Sequence, residues 1–237
     1  MKYAKGLVGA AFLVAVVPAQ AGEVFPGEFS GNVGIATDYT FRGVSQTDEN
    51  PAIQGGFDWS HESGVYLGVW GSNVDFDDGD EATLEMDFYG GIAGEVSGIT
   101  WDVGVIYYAY PGANDNLDYD YVEGKVALGY DFGVASIGGS VFYSPEFFGD
   151  SGDAVYAELA AAAPLPYGFG IEGLVGHQWI DDNATFGLPD YLTWTIGLTY
   201  SIEGFDLALS YVDTDISGSR CDDICDARAL FTVSRSF

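Results

Sequence analysis

Apolar and polar residues alternate with a period of two through most of this chain, and twelve segments carry the pattern. The first sets Val33, Ile35, Thr37, Tyr39 and Phe41 on one face and Asn32, Gly34, Ala36, Asp38 and Arg42 on the other. The fourth is the clearest, with Leu84, Met86, Phe88 and Ile92 alternating with Glu85, Asp87 and Tyr89. The eleventh sets Phe205, Leu207, Leu209 and Tyr211 against Asp206, Ala208 and Ser210. The last ends the chain, with Ala229, Phe231, Val233 and a terminal Phe237 in step, although Arg235 breaks the apolar run. Most segments are about nine to eleven residues long, enough to cross a bilayer at a steep tilt. An even number of one-faced strands predicts an all-β, antiparallel up-and-down transmembrane β-barrel, which leaves no sheet edge unpaired.

The gaps between these segments alternate as well. Six are long: Gly43 to Pro51, Ser72 to Ala82, Pro111 to Asp120, Ser144 to Asp153, Ile180 to Asp190 and Val212 to Ala227. They hold 21 of the 36 acidic residues and one base, Arg220. Five are short, near His61, Glu95, Asp131, Ala163 and Ser201. In an up-and-down sheet alternate connections emerge at opposite ends, so the two ends of this molecule differ. Long loops outside and short periplasmic turns are the arrangement of an outer-membrane barrel.

The N-terminus reads separately. Lys2 and Lys5 precede a short apolar run, Gly6 to Val17, and Ala19-Gln20-Ala21 fits a small-x-small cleavage site. We expect a signal peptide over residues 1–21 and a single barrel over 22–237. No stretch has the roughly 18 consecutive apolar residues of a spanning helix. The 34 glycines and 37 aromatic residues suit barrel strands and interfacial girdles.

Without the signal peptide, 5 bases face 36 acids. Such a surface repels nucleic acid and attracts cations. It also serves solubility, and both readings stand. In the loop Asp75-Phe76-Asp77-Asp78-Gly79-Asp80-Glu81, the carboxylates of Asp75, Asp77, Asp78, Asp80 and Glu81 supply the oxygens that Ca2+ or Mg2+ prefers. EF-hand spacing is absent, so we expect no dedicated cofactor and at most weak divalent binding, as a site or as bridges to lipopolysaccharide phosphates. Cys221 and Cys225 lie in the last long gap, where an exported protein is expected to form a disulfide; the spacing also suits a metal, without a nearby histidine.

Two segments, SGNVGIATDYTFRGVSQT and PAIQGGFDWSHESGVYLGVWGSNVDF, resemble the TorF family of porin-like proteobacterial proteins, a family without an assigned function. The likeness is strongest over Ser30 to Phe76 and returns in GLTYSIEGFDLALSYVDTD and CDDICDARALFTVSRSF. It implies an outer-membrane barrel and a pore, and brings no substrate or functional residue.

The polar faces would line the lumen, because they cannot face lipid. That puts Asp38, Glu85, Asp87, Asp102, Glu123, Glu158, Glu172 and Asp206 inside, with Arg42 and Lys125 as the inward bases. Carboxylates along a channel favour cations. Twelve strands leave at most a narrow path, since open porins use about sixteen or more. The expected function is a narrow outer-membrane channel for small cationic or neutral solutes, in contact with membrane lipid and lipopolysaccharide. Alternatives are a non-conducting barrel that binds divalent cations or a partner through its loops, and an outer-membrane enzyme. For the last, only His61 and His177 could act as base, and no segment sets Ser and Asp beside either; we expect no catalytic residues. Oligomeric state is not legible.

Overall fold

A computed structural model describes residues 26–76, 82–217, 220–221 and 223–237 of the chain. The expected signal peptide, residues 1–21, lies outside the described residues.

Twelve strands close into one antiparallel barrel. They are β1 (Glu28–Ala36), β4 (Ala52–Ser60), β5 (Val65–Asn73), β6 (Leu84–Val96), β7 (Ile99–Ala109), β8 (Tyr121–Asp131), β9 (Ser136–Ser144), β10 (Ala154–Pro164), β11 (Phe169–Ile180), β12 (Tyr191–Ile202), β13 (Phe205–Thr214) and β14 (Arg228–Ser236). Two more, β2 (Thr40–Phe41) and β3 (Val44–Ser45), form a separate hairpin inside the first long loop. Each barrel strand pairs with its sequence neighbours, and β1 closes the ring by pairing with both β4 and β14. The closing seam ends on Phe237. Its amide donates to the Gly31 carbonyl, its carbonyl accepts from the Gly31 amide, both at 2.9 Å, and its ring meets Phe57 edge-on. The terminal aromatic thus extends the ladder by one rung.

Facing follows the alternation. Ile35, Phe57, Leu67, Phe88, Val105, Leu128, Leu159 and Ile196 stand exposed on the outer wall, while Glu85, Asp87, Glu123, Glu158 and Gln178 are buried inside. An uninterrupted apolar band outside and a polar interior invert the soluble arrangement, and match a wall solvated by lipid. Near the long-loop end, outward tyrosines hold carboxylates at or beside the strand ends: Tyr107 donates to Asp120 at 2.6 Å, Tyr143 to Asp153 at 3.2 Å and Tyr211 to Asp213 at 2.8 Å. Rings in the apolar band and hydroxyls on polar partners are what an interfacial girdle requires. Arg235, which breaks the final alternation, points outward at the opposite end, with its guanidinium 4.9 Å from the Phe205 ring centre.

Several loop aspartates serve the backbone. Asp120, Asp190 and Asp215 accept from the amides of Tyr110, Ile180 and Leu192 at 2.8, 3.0 and 2.7 Å. Each satisfies an amide where the ladder ends. In the loop between β11 and β12, Asp182 caps the one-turn helix Asn183–Phe186. The Thr185 hydroxyl and the amides of Thr185 and Ala184 hold the Asp182 carboxyl below the usual carboxylate range. Part of the loop acid therefore has a structural use that neither solubility nor cation attraction describes.

The first strand is shorter than its alternation implies. It stops at Ala36, so the first long loop runs over residues 37–51 instead of beginning at Gly43. Tyr39 and Phe41, which alternation puts on the lipid face, are inside the barrel instead.

Candidate functional site

The feature that sets the lumen's character is the hairpin of β2 and β3, which the first loop folds into the barrel. Asp38 starts the inward turn. Its carboxylate accepts from the hydroxyls of Ser45 at 2.7 Å and Thr47 at 2.8 Å, and pairs with Arg228 of β14 at 2.8 Å. Arg228 also reaches Glu49 at 3.2 Å. The loop is thereby tied to the last strand and to itself. At the tip, Arg42 and Gly43 both take positive φ, 49° and 88°. Gly43 is required twice over, since an added Cβ would also collide with Thr193.

Arg42 hangs from this tip across the lumen. Its guanidinium pairs with Glu123 on β8 at 2.6 Å and donates to the Gln178 side-chain oxygen on β11 at 2.8 Å. It lies 4.3 Å from the Tyr156 ring centre, 4.6 Å from Phe41 and 5.2 Å from Phe142. One side chain from the first loop therefore fastens the hairpin to the stretch of wall formed by β8 to β11 through charge-assisted bonds and cation–π contacts. Tyr39 reaches another wall, donating to Glu85 on β6 at 2.8 Å and meeting Trp70 edge-on at 5.3 Å. Around these contacts the interior is packed: Glu85 and Glu123 are 1% exposed and Gln178 is 0%.

Phe41 contacts a cavity on either side of this packed layer. One, of about 460 Å3, lies toward the long loops among Phe148, Tyr119, Phe186 and Arg220. The last loop walls it, where Cys221 and Cys225 are joined in a disulfide and the Ile224 carbonyl accepts from the Ser45 amide at 2.9 Å. The other cavity, of about 420 Å3, extends from Phe41 and Asp87 toward the short turns, reaching Ser60 and Ala93.

The acids and bases assigned inward take distinct positions. Asp102 on β7 pairs with Lys125 on β8 at 2.8 Å and accepts from Tyr66 at 2.7 Å. Glu85 and Asp87 lie one pleat apart on β6, both buried on the inner face. Glu158 on β10 is buried and Glu172 on β11 half-buried on the inner face. Asp206 sits exposed by the short turns, accepting from Ser201 at 2.5 Å. Arg42 comes from the inserted hairpin instead of the strand wall. Of the loop carboxylates considered for a metal, Asp77, Asp78, Asp80 and Glu81 lie outside the described residues, while Asp75 donates its amide to the Gln46 carbonyl at 2.8 Å. Among the described residues no group of three or more His, Cys, Asp or Glu could hold a metal ion. His61 lies in a short turn, 2.8 Å from the Ser63 hydroxyl, and His177 packs on Trp179 on the outer wall.

Alternation puts Tyr89 and Gln178 on polar, lumen-facing sides without giving either a role, and it names neither Tyr66 nor Tyr108. Asp58 shares the polar face of its strand with Gln54 and Ser60. It accepts from Tyr89 at 2.5 Å, and the Tyr89 ring lies so close over Gly68 that any Cβ there would collide with it. Inward tyrosines opposite glycines were the available signal.

A closed twelve-stranded barrel with an apolar outer wall, a polar lumen and one inserted loop defines a porin-like β-barrel protein. The chain belongs to the Gcw_chp family, described as bacterial proteins of unknown function, whose model matches residues 20–237. Among solved structures it is similar to the KdgM porin, with a TM-score of 0.60 at 6% identity, covering 88% of this chain and 99% of that one. It is also similar to the NanC porin, with a TM-score of 0.57 at 10% identity over 88% and 98%. No curated protein matches its sequence. At such identities the likeness is one of fold.

Proposed function

We propose that this protein is an outer-membrane channel with a narrow lumen that passes small cations and neutral solutes in preference to anions. The observation that carries this reading is the charge left over inside. Arg42, Lys125 and Arg228 are each paired with a carboxylate. Asp58, Glu85, Asp87, Glu158 and Glu172 have no ion-pair partner among the described residues. An excess of carboxylates along a water-bearing path attracts cations and excludes anions. The fold of the KdgM and NanC porins and the TorF likeness of Ser30 to Phe76 support the same reading. The long acidic loops would then face outward, touching lipopolysaccharide through bridging Ca2+ or Mg2+.

The packed layer at Arg42 favours a second reading, a barrel that stays shut while the hairpin is docked. Planar-bilayer recording separates the two. The channel reading expects small, resolvable current steps from folded protein, with a reversal potential on the cation side in a salt gradient. Glu158→Gln with Glu172→Gln should move that potential toward zero. Silence from verified folded protein would retire the channel, and a chloride-side potential would retire the cation preference.

A further inference from the structure

The cavity on the short-turn side of the hairpin has the construction of a ligand site. Its volume, about 420 Å3, falls within the roughly 300–1,000 Å3 of small-molecule pockets and far exceeds a single bare ion. Aromatic side chains line part of it, including Phe41, Tyr66, Trp70, Tyr89 and Tyr108. Two carboxylates that line it, Asp58 and Asp87, each keep one oxygen, Oδ2 and Oδ1 respectively, without a hydrogen-bond partner among the described residues. Asp87 is only 8% exposed, so bulk water is not its ordinary partner. A buried carboxylate oxygen left unsatisfied is costly, and calls for a donor. The one base on this wall, Lys125, is already held by Asp102. Tyr89 donates to the other oxygen of Asp58 and so orients the free one.

We infer that this cavity binds a small organic cation, an ammonium group on a short aliphatic body, held by Asp58 and Asp87 and flanked by the aromatic side chains. The inference rests on the reading of the lumen as cation-preferring, and names the class of solute at one place in it. An ammonium group brings three donors to the unsatisfied oxygens. The rings attract its charge through their faces and cover its methylenes. A carboxylate-bearing solute would meet repulsion from both aspartates, and a neutral sugar would leave their charges uncompensated. Entry is from the short-turn end, where the cavity reaches Ser60 and Ala93.

The test is calorimetric titration of the refolded barrel in detergent with putrescine, alongside glucose and glutarate, at low ionic strength. We expect saturable putrescine binding, weakened at least tenfold in both Asp58→Asn and Asp87→Asn and unchanged in Glu62→Gln, a carboxylate of a short turn. Tyr89→Phe, which only frees Asp58 to rotate, should weaken it less. Folding of each variant is checked by heat-dependent migration in gels. Three results would overturn the inference: no putrescine binding by folded protein, binding undiminished in both aspartate variants, or equal binding of glucose or glutarate. Cation-selective currents without putrescine binding would remove this site and leave the channel. Putrescine binding that needs Asp58 and Asp87 in a silent barrel would keep the site and remove the channel.

Discussion

Replacing Arg42 with alanine should raise single-channel conductance several-fold and lengthen the open state. Arg42 is the central fastening of the hairpin, with bonds to Glu123 at 2.6 Å and Gln178 at 2.8 Å. Truncation leaves Glu123, 1% exposed, as an uncompensated buried charge. Breaking a buried pair from one side costs about 3–5 kcal/mol. Converted at about 1.4 kcal/mol per factor of ten, that is on the order of a hundred- to several-thousand-fold in the docking equilibrium of the hairpin. The barrel ladder does not depend on Arg42, so the cost falls on the docked loop. Water then reaches Glu123 and the path widens. The double variant Arg42→Met with Glu123→Gln restores bulk without charge, and should return conductance toward that of the parent. Recordings in which folded Arg42→Ala conducts within about twofold of the parent would show that the hairpin does not set the resistance of the lumen.

The hairpin is also where sequence and structure part. Val33, Ile35, Thr37, Tyr39 and Phe41 keep perfect alternation, so strand one reads on to Arg42. A period of two reports only that successive side chains point opposite ways, and a hairpin returning through the lumen has the same period. What ends the strand at Ala36 is the Asp38 carboxylate, whose partners Ser45, Thr47 and Arg228 stand up to 190 residues away in sequence. Nothing local announces the last of these. The turn itself was legible in part, since Arg42-Gly43 places a lone base beside the residue best suited to positive φ.

The wall was far more legible, because lipid on one side and water on the other impose one rule on every strand. Glu85, Asp87, Glu123 and Glu158 all fall on the inner face by parity alone. Parity does not report partners. Lys125 meeting Asp102 depends on the register of β7 and β8, which brings Gly104 opposite Lys125. The pairing of Tyr66, Tyr89 and Tyr156 with glycines on neighbouring strands depends likewise on the registers of β5 with β6 and of β10 with β11. The candidate cavity follows from those pairings and from Phe41 above it, and was therefore out of reach of the alternation.

Leu159→Arg should destabilise the barrel by about 2–4 kcal/mol in lipid vesicles, and this sign distinguishes a membrane wall from a water-exposed one. Leu159 lies midway along β10, 67% exposed on the outer face, with Gly139 and Val175 as its cross-strand neighbours. In water, exchanging an exposed leucine for arginine shifts stability by no more than about 0.5 kcal/mol, because the charge stays solvated and apolar surface is removed. In a bilayer the same guanidinium sits near the midplane, where its desolvation is only partly relieved by snorkelling toward head groups. Depth gives the internal control. Tyr143 also faces outward, but lies at the long-loop end with its hydroxyl on Asp153. Tyr143→Arg should therefore cost about 0–1 kcal/mol by the same depth dependence. Denaturant unfolding from vesicles of matched lipid, followed by tryptophan emission, measures both. Equal costs at the two positions would deny the depth profile, and a Leu159→Arg variant as stable as the parent would place this wall in water. The large cost at Leu159 with a small one at Tyr143 locates the bilayer centre across β9 to β11. That position puts the packed layer around Arg42 on the long-loop side of the midplane, and the cavity of Asp58 and Asp87 on the path from it to the short turns.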